Sequence, residues 1–237
     1  MTLIVDEVML REPNLLIPGK KPVGPVKIDW NHELAPKDLC VLFRNKPEEL
    51  VQGVVLNDGT LTNLLTSEVN SGEQTYRFNA PSSLAWFNLP KNIDYYNAGD
   101  LWSITWRGTT VSGNDGIFIG TPSNGIDYIW MGANLLRINS GINYQITITS
   151  SWASMQWHTV VFTSDGYRLY SDGSFIQAYT GNNAPADLEI KCIGSSYTTA
   201  AYSFDGSLSA VYIHDFGLTD NQVTNLHHDP YQFLIPA

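Results

Sequence analysis

The feature that most constrains this chain is its punctuation. Short runs of aromatic and β-branched residues recur at intervals of about ten, each cut off by glycine or by an Asn-Gly or Asp-Gly pair. LWSITWRGTTV (101–111), GIFIG (116–120), YIWMG (128–132), YQITITS (144–150) and WHTVVFTSDG (157–166) are the clearest. In YQITITS the alternation is strict: Tyr144, Ile146 and Ile148 point one way, Gln145, Thr147 and Thr149 the other. Asp58-Gly59, Asn124-Gly125, Asp165-Gly166 and Asp172-Gly173 supply the residues that tolerate the positive φ of tight hairpin turns. The pattern predicts strands joined as hairpins. One helix is expected over 220–227. There Thr219-Asp220-Asn221-Gln222 fits a capping box, Val223 and Leu226 form an apolar stripe, and Pro230 ends the helix. Many strands and one short helix make an all-β sandwich.

A different composition precedes this pattern. PNLLIPGKKPVGPV, residues 13–26, holds Pro13, Pro18, Pro22 and Pro25, four of the twelve prolines in the chain. Proline fixes φ and removes a backbone donor, so these positions exclude a helix or a central strand. Fully extended at ~3.1 Å per residue, such a segment would reach on the order of 40 Å. Two readings stand side by side: a disordered leader, or an arm that docks Leu15, Leu16, Ile17 and Val23 on a partner. Lys20 and Lys21, the only adjacent lysines of the chain, would then meet an acidic surface. The expected division is an arm over 1–27, a β-sandwich over 28–231 and a C-terminal tail over 232–237.

The 237 residues are 43% hydrophobic and 12% aromatic, ample for one sizeable core. Thirteen basic residues against twenty-three acidic ones give a net charge of −10, which argues against nucleic acid or an anionic membrane as partner. MTLIVDEVML lacks a basic n-region and a small-residue cleavage site, so no signal peptide is expected. No apolar run approaches the ~20 residues needed to span a bilayer. Cys40 and Cys192 have no metal-ligand spacing and are expected as buried thiols rather than a disulfide, with their redox state left open.

Three linked segments carry a family resemblance. They are WHTVVFTSDGYRLYSDGSFI (157–176), ADLEIKCIGSSY (186–197) and FDGSLSAVYIHDFGLTDNQVTNLHHDPYQFL (204–234). In order and spacing they resemble the laminin-G-like, concanavalin A-like jelly rolls, with a Trp, a strand, a turn and Leu-Tyr-x-Asp-Gly, then the closing strand and a capped helix. The resemblance implies a two-sheet antiparallel jelly roll. At the ends, PNLLIPGKKPVGPVKIDWNHEL (13–34) and HHDPYQFLIPA (227–237) resemble the jelly-roll proteins of tailed bacteriophages and their prophages. That likeness implies a non-enzymatic virion component, a decoration (cement) protein on the capsid surface. Its anchor would be Pro13, Leu15, Leu16, Ile17, Pro18, Lys20, Lys21, Pro22 and Val23. Its partners would be the major capsid protein or other virion proteins. It would also pair with copies of itself, a trimer suiting a three-fold site.

Catalysis finds little footing. Members of the family that hydrolyse β-glucans use an E-x-D-x-x-E strand. Here Asp187-Leu188-Glu189 is the nearest match, and Cys192 stands where a further Glu would be. Adjacent His227 and His228 on a helix point about 100° apart and cannot share one ion unaided. His32 and His158 read as structural groups, Ser154 and Ser195 sit in no G-x-S-x-G elbow, and Asp172 and Asp205 precede Gly as turn residues. No cofactor or metal is expected. Among seven tryptophans, Trp102, Trp106 and Trp157 read as core, leaving Trp130 and Trp152 as loose candidates for stacking on sugar. The alternative function is therefore a carbohydrate-binding, lectin-like module on a virion or a bacterial protein.

Overall fold

The punctuated runs fold as strands. A computed structural model of the chain describes residues 16–58, 65–78, 86–95, 101–110, 116–121, 127–132, 135–140, 143–147, 152, 154–164, 166–180, 188–194 and 204–237. Its first strands are β1 (Val26–Ile28), β2 (Leu39–Phe43), β3 (Pro47–Glu49), β4 (Val54–Val55), β5 (Asn57–Asp58), β6 (Leu65–Asn70), β7 (Glu73–Phe78) and β8 (Phe87–Tyr95). Next come β9 (Trp102–Thr110), β10 (Gly116–Gly120), β11 (Asp127–Gly132), β12 (Leu135–Ser140), β13 (Asn143–Thr147) and β14 (Gln156–Thr163). The chain closes with β15 (Gly166–Ser171), β16 (Ser174–Thr180), β17 (Leu188–Ile193), β18 (Gly206–His214), the helix α1 (Asp220–His228) and β19 (Leu234–Pro236).

Two antiparallel sheets stack as a sandwich. The larger runs β16-β15-β14-β9-β18-β2-β3-β4, with β7 on the first half of β18 and β6 on β7. The smaller runs β13-β12-β11-β10-β17-β8-β5. Two-residue periodicity decides what lies between them. From β9 come Trp102, Ile104 and Trp106, from β14 Val160 and Phe162, and from β18 Val211 and Ile213. They pack on Ile129, Met131, Leu136, Ile138 and Ile190 of the smaller sheet.

The alternate residues of the same strands build a second core on the outer face of the larger sheet. Cys40, Leu42, Trp157, Val161, Tyr170, Ala210 and Tyr212 lie there under Val223 and Leu226 of α1 and under Tyr231, Phe233 and Leu234. This is why strands such as β9 and β18 read as almost wholly apolar or small: both of their faces are buried. Helix α1 is held as the sequence indicates. The Gln222 amide donates to Thr219 Oγ1 (3.3 Å) and the Thr219 amide to Gln222 Oε1 (2.9 Å), the reciprocal pair of a capping box. Both cysteines are buried free thiols, and burial pushes the Cys40 thiol up.

The two ends of the described chain meet. Strand β1 pairs antiparallel with β19, Val26 opposite Pro236 and Ile28 opposite Leu234. The Asp29 amide donates to Phe233 O (2.8 Å) and the Ala237 amide to Pro25 O (3.2 Å). Residues 232–237, expected as a tail, thus close the second core, because Phe233 and Leu234 are apolar side chains that this pairing buries.

Candidate functional site

Residues 16–25 form a strap across the outer face of the larger sheet, and its conformation follows from its prolines and glycines. Ile17-Pro18-Gly19-Lys20 has the Pro-Gly order of a type II turn: the Lys20 amide donates to Ile17 O (3.0 Å), and Gly19 takes φ +69°, which a side chain resists. The Gly19 amide donates to Oδ1 of Asp229, the residue that caps the end of α1 (2.9 Å). Further along, Arg44 donates to Gly24 O (2.6 Å) and pairs with Glu48. A segment without ladder hydrogen bonds is thereby tied down by side chains from elsewhere.

Lys21 is the deepest of these ties. Its Nζ donates to Phe43 O (2.5 Å), Gln74 O (2.7 Å), Ser209 O (2.6 Å) and Ser209 Oγ (3.0 Å), reaching β2, β7 and β18 at once. A bulge makes this possible. Between Leu208 and Ala210 the register of β18 slips against β9, so that Ser209 has no partner across the ladder and turns its hydroxyl and carbonyl outward. Ser209 Oγ donates to Glu73 Oε2 (2.6 Å), and Glu73 Oε1 pairs with Arg107 Nε. The Arg107 guanidinium lies over the Trp157 ring, 5.9 Å from its centroid. Burial pulls the Lys21 ammonium down to about 7, with the Glu73 carboxylate acting in the opposite direction.

The facing wall is the Asp172–Gly173 turn and the end of α1. Asp172 and Gly173 take φ of 44° and 79°, the two positive values of a type I′ hairpin turn. Asp172 Oδ1 accepts from the Trp157 amide (2.9 Å) and the Asp172 amide donates to Trp157 O (2.8 Å), which ties the turn to the start of β14. Gly173 N–H donates to His227 Nδ1 (2.6 Å), which leaves the ring proton on Nε2 to donate to Thr159 Oγ1 (2.7 Å). Thr159 Oγ1 in turn lies 2.9 Å from Thr105 Oγ1. Burial pulls His227 down to about 4, so the ring is neutral at pH 7.

Between strap, turn and helix lies a cleft of about 1460 Å³. Trp157, Arg107 and Tyr231 lie at its base, and Asn45, Gln74 and Ser174 are among the side chains at its sides. Amide, hydroxyl and guanidinium groups over an apolar base form a surface for a polar ligand with several hydroxyls. Among the described residues that line it, both His227 nitrogens are engaged and Glu73 is held by Ser209 and Arg107.

The residues singled out in the sequence are placed as follows. Pro13, Leu15, Asp187 and Ser195 lie outside the described residues, as do Gly59, Asn124, Gly125 and Asp165 of the turn signals and Ile148 and Thr149 of the alternating run. Leu16 packs on the second core, Pro22 is buried, and Pro18 and Lys20 are exposed. Ile17 is 51% exposed and Val23 97% exposed. Lys21 corrects an expectation, since its ammonium is spent on four acceptors of its own domain and is not presented to an acidic partner. Trp152, 2% exposed, is corrected from candidate platform to inter-sheet core. Trp130 is half-buried on the outer face of the smaller sheet, 6.1 Å from Tyr128 and with the Arg137 guanidinium over its ring. Glu189 pairs with Lys191 (2.6 Å). His158 is buried beside Trp106 and Trp152, while His32 Nδ1 accepts from the Leu34 amide (3.1 Å). Asp205 corrects another expectation: it is buried directly before β18 and pairs with Arg77, where the sequence predicts a turn residue. Sequence reading missed Glu73, Arg107 and Ser209, whose meeting depends on a bulge that no local signal announces.

Fold and strand order together define a two-sheet antiparallel β-sandwich domain of the jelly-roll type. Residues 58–224 match the laminin G-type family described as the concanavalin A-like lectin/glucanases superfamily, and the chain belongs to that family. No curated protein sequence matches it. Among solved structures it is similar to domain 4 of AbnA, an extracellular arabinanase of Geobacillus stearothermophilus in complex with arabinotriose. The TM-score is 0.58 at 13% identity, over 86% of this chain and 99% of that one. It is also similar to the Trypanosoma rangeli sialidase in complex with sialic acid, with a TM-score of 0.55 at 12% identity over 82% of this chain. A third likeness is to a botulinum neurotoxin type C structure whose cell entry depends on two ganglioside molecules, with a TM-score of 0.51 at 13% identity over 81% of this chain. The chain spans 33% of the sialidase and 50% of the toxin chain.

Proposed function

We propose that this protein is a non-catalytic carbohydrate-binding module that takes an oligosaccharide in the cleft over its larger sheet. The observation that carries the reading is the cleft itself. A volume of about 1460 Å³ accommodates a short oligosaccharide, and its sides offer the amide and hydroxyl groups that hydrogen-bond sugar hydroxyls. Family membership and the sugar-bound arabinanase domain and sialidase support it. The test is a glycan array probed with the full chain, followed by titration of the hits against Ser174→Trp. Ser174 is exposed and lines the cleft, so the indole would fill the cleft without touching the core. Binding should weaken at least tenfold. Hits that bind Ser174→Trp as well as the parent chain would place the sugar elsewhere, and release of reducing ends from a bound glycan would overturn the non-catalytic reading.

The setting proposed for the module is a tailed-phage virion, where it would decorate the capsid through the major capsid protein or a neighbouring copy. What supports this is the likeness of the two chain ends to phage jelly-roll proteins, together with the apolar surface that Ile17, Val23 and Trp30 leave exposed beside them. Co-purification with assembled particles at a fixed copy number is the expected result. Its absence from particles, with glycan binding intact, would leave the module reading alone.

A further inference from the structure

The cleft has a sign of its own. Lys20, Lys21, Arg44, Lys46 and Arg107 line it, five of the thirteen basic residues of a chain whose net charge is −10. Against them stand Glu48, Glu73 and Asp172, and two of these three carboxylates are paired with guanidinium groups. Glu48 pairs with Arg44, Glu73 with Arg107 and Ser209, and Asp172 accepts from the Trp157 amide. Lys20 and Lys46 are exposed, and among the described residues neither forms an ion pair. They lie in different segments, Lys20 in the strap and Lys46 before β3, and both line the cleft. Among the described residues, an anion entering the cleft meets two exposed ammonium groups without an ion-pair partner, Lys20 and Lys46, against one such carboxylate, Asp172, so the excess charge of the lining is positive.

We infer that the cleft selects acidic saccharides, sugars bearing a carboxylate, over their neutral counterparts. The inference rests on the carbohydrate-binding reading and names its ligand class. Lys20 and Lys46 supply the attraction, while the amide and hydroxyl groups around them hold the sugar hydroxyls. A chain acidic overall repels anions at long range, so the preference has to come from this local excess and is screened by salt over roughly 10 Å at 0.1 M. Arg44 and Arg107 stay with their carboxylates and give shape rather than net charge.

The experiment compares matched pairs by calorimetry with the full chain: sialyllactose against lactose, and oligogalacturonate against its methyl ester. The acidic member of at least one pair should bind tenfold or more tighter in low salt. That margin should shrink at 0.3 M salt and vanish in the Lys20→Glu/Lys46→Glu double variant. Both positions are exposed, so the variant's melting midpoint should match the parent's and any loss would report on charge. Equal affinity within each pair would overturn the inference while leaving the carbohydrate-binding reading intact. Failure of all four probes, and of every glycan on the array, would overturn both.

Discussion

Lys21 shows how one residue can change meaning between sequence and structure. In the sequence it is half of a basic pair on a proline-rich leader; folded, it is a clamp joining the strap to three strands. Lys21→Met would keep the stem and leave the carbonyls of Phe43, Gln74 and Ser209 without their donor. The expected cost is about 1–3 kcal/mol, read as a lower urea midpoint; an unchanged midpoint would show that the clamp is idle. The histidines give a pH prediction. Burial pulls His214 and His227 from the ordinary 6.5 to about 4. Between those values the unfolded chain takes up protons that the folded chain refuses, so stability is lost as pH falls from 6.5 towards 4. His227→Gln should flatten that slope in urea titrations across the range, and a slope identical to the parent's would count against the assignment.

At the scale of elements, the bulge in β18 positions the site. It needs Gly108 opposite it on β9, because a Cβ there would sit 2.7 Å from Leu208 Cδ2 and 2.9 Å from Ser207 O. Gly108→Ala should therefore cost about 1–3 kcal/mol through overpacking. It should also weaken glycan binding beyond the stability loss, since Ser209 would shift with its strand. A variant that melts lower yet binds equally well would show the bulge to be irrelevant to the cleft. Helix α1 is the opposite case, an element written locally. Its capping box needs only Thr219 and Gln222, and Thr219→Ala should lower stability by about 1 kcal/mol in thermal melts.

On the scale of the whole molecule, the larger sheet carries a core on each face, and the outer one is covered by residues 16–35 and by the segment from Leu218 to Leu234. Deleting residues 1–25 would remove Lys21 and the Gly19–Asp229 contact while sparing β1. The truncated chain should melt lower by at least as much as Lys21→Met, and its cleft should lose the wall that carries Lys20. Equal midpoints for the truncated and full chains would make the strap a passive passenger.

The sequence by itself determined many of the described strands, the Asp172–Gly173 hairpin turn and the helix. Their signals are local: a two-residue alternation, Asp172-Gly173 with its positive φ, and a hydroxyl three residues before a glutamine. It also announced the Ile17–Lys20 turn, in a Pro-Gly pair read above only as an interruption. What only the tertiary structure decided is where the cleft lies and what charge it holds. Glu73, Arg107 and Ser209 are far apart in the chain and meet because β7 and β9 both pair with β18, and because one residue of β18 falls out of register. Trp152 could not be told from a surface platform, since burial depends on which residues the second sheet brings over it. Pairing across distant strands, unlike a turn, has no local energetic signature, so the site became visible only when the sheets were assembled.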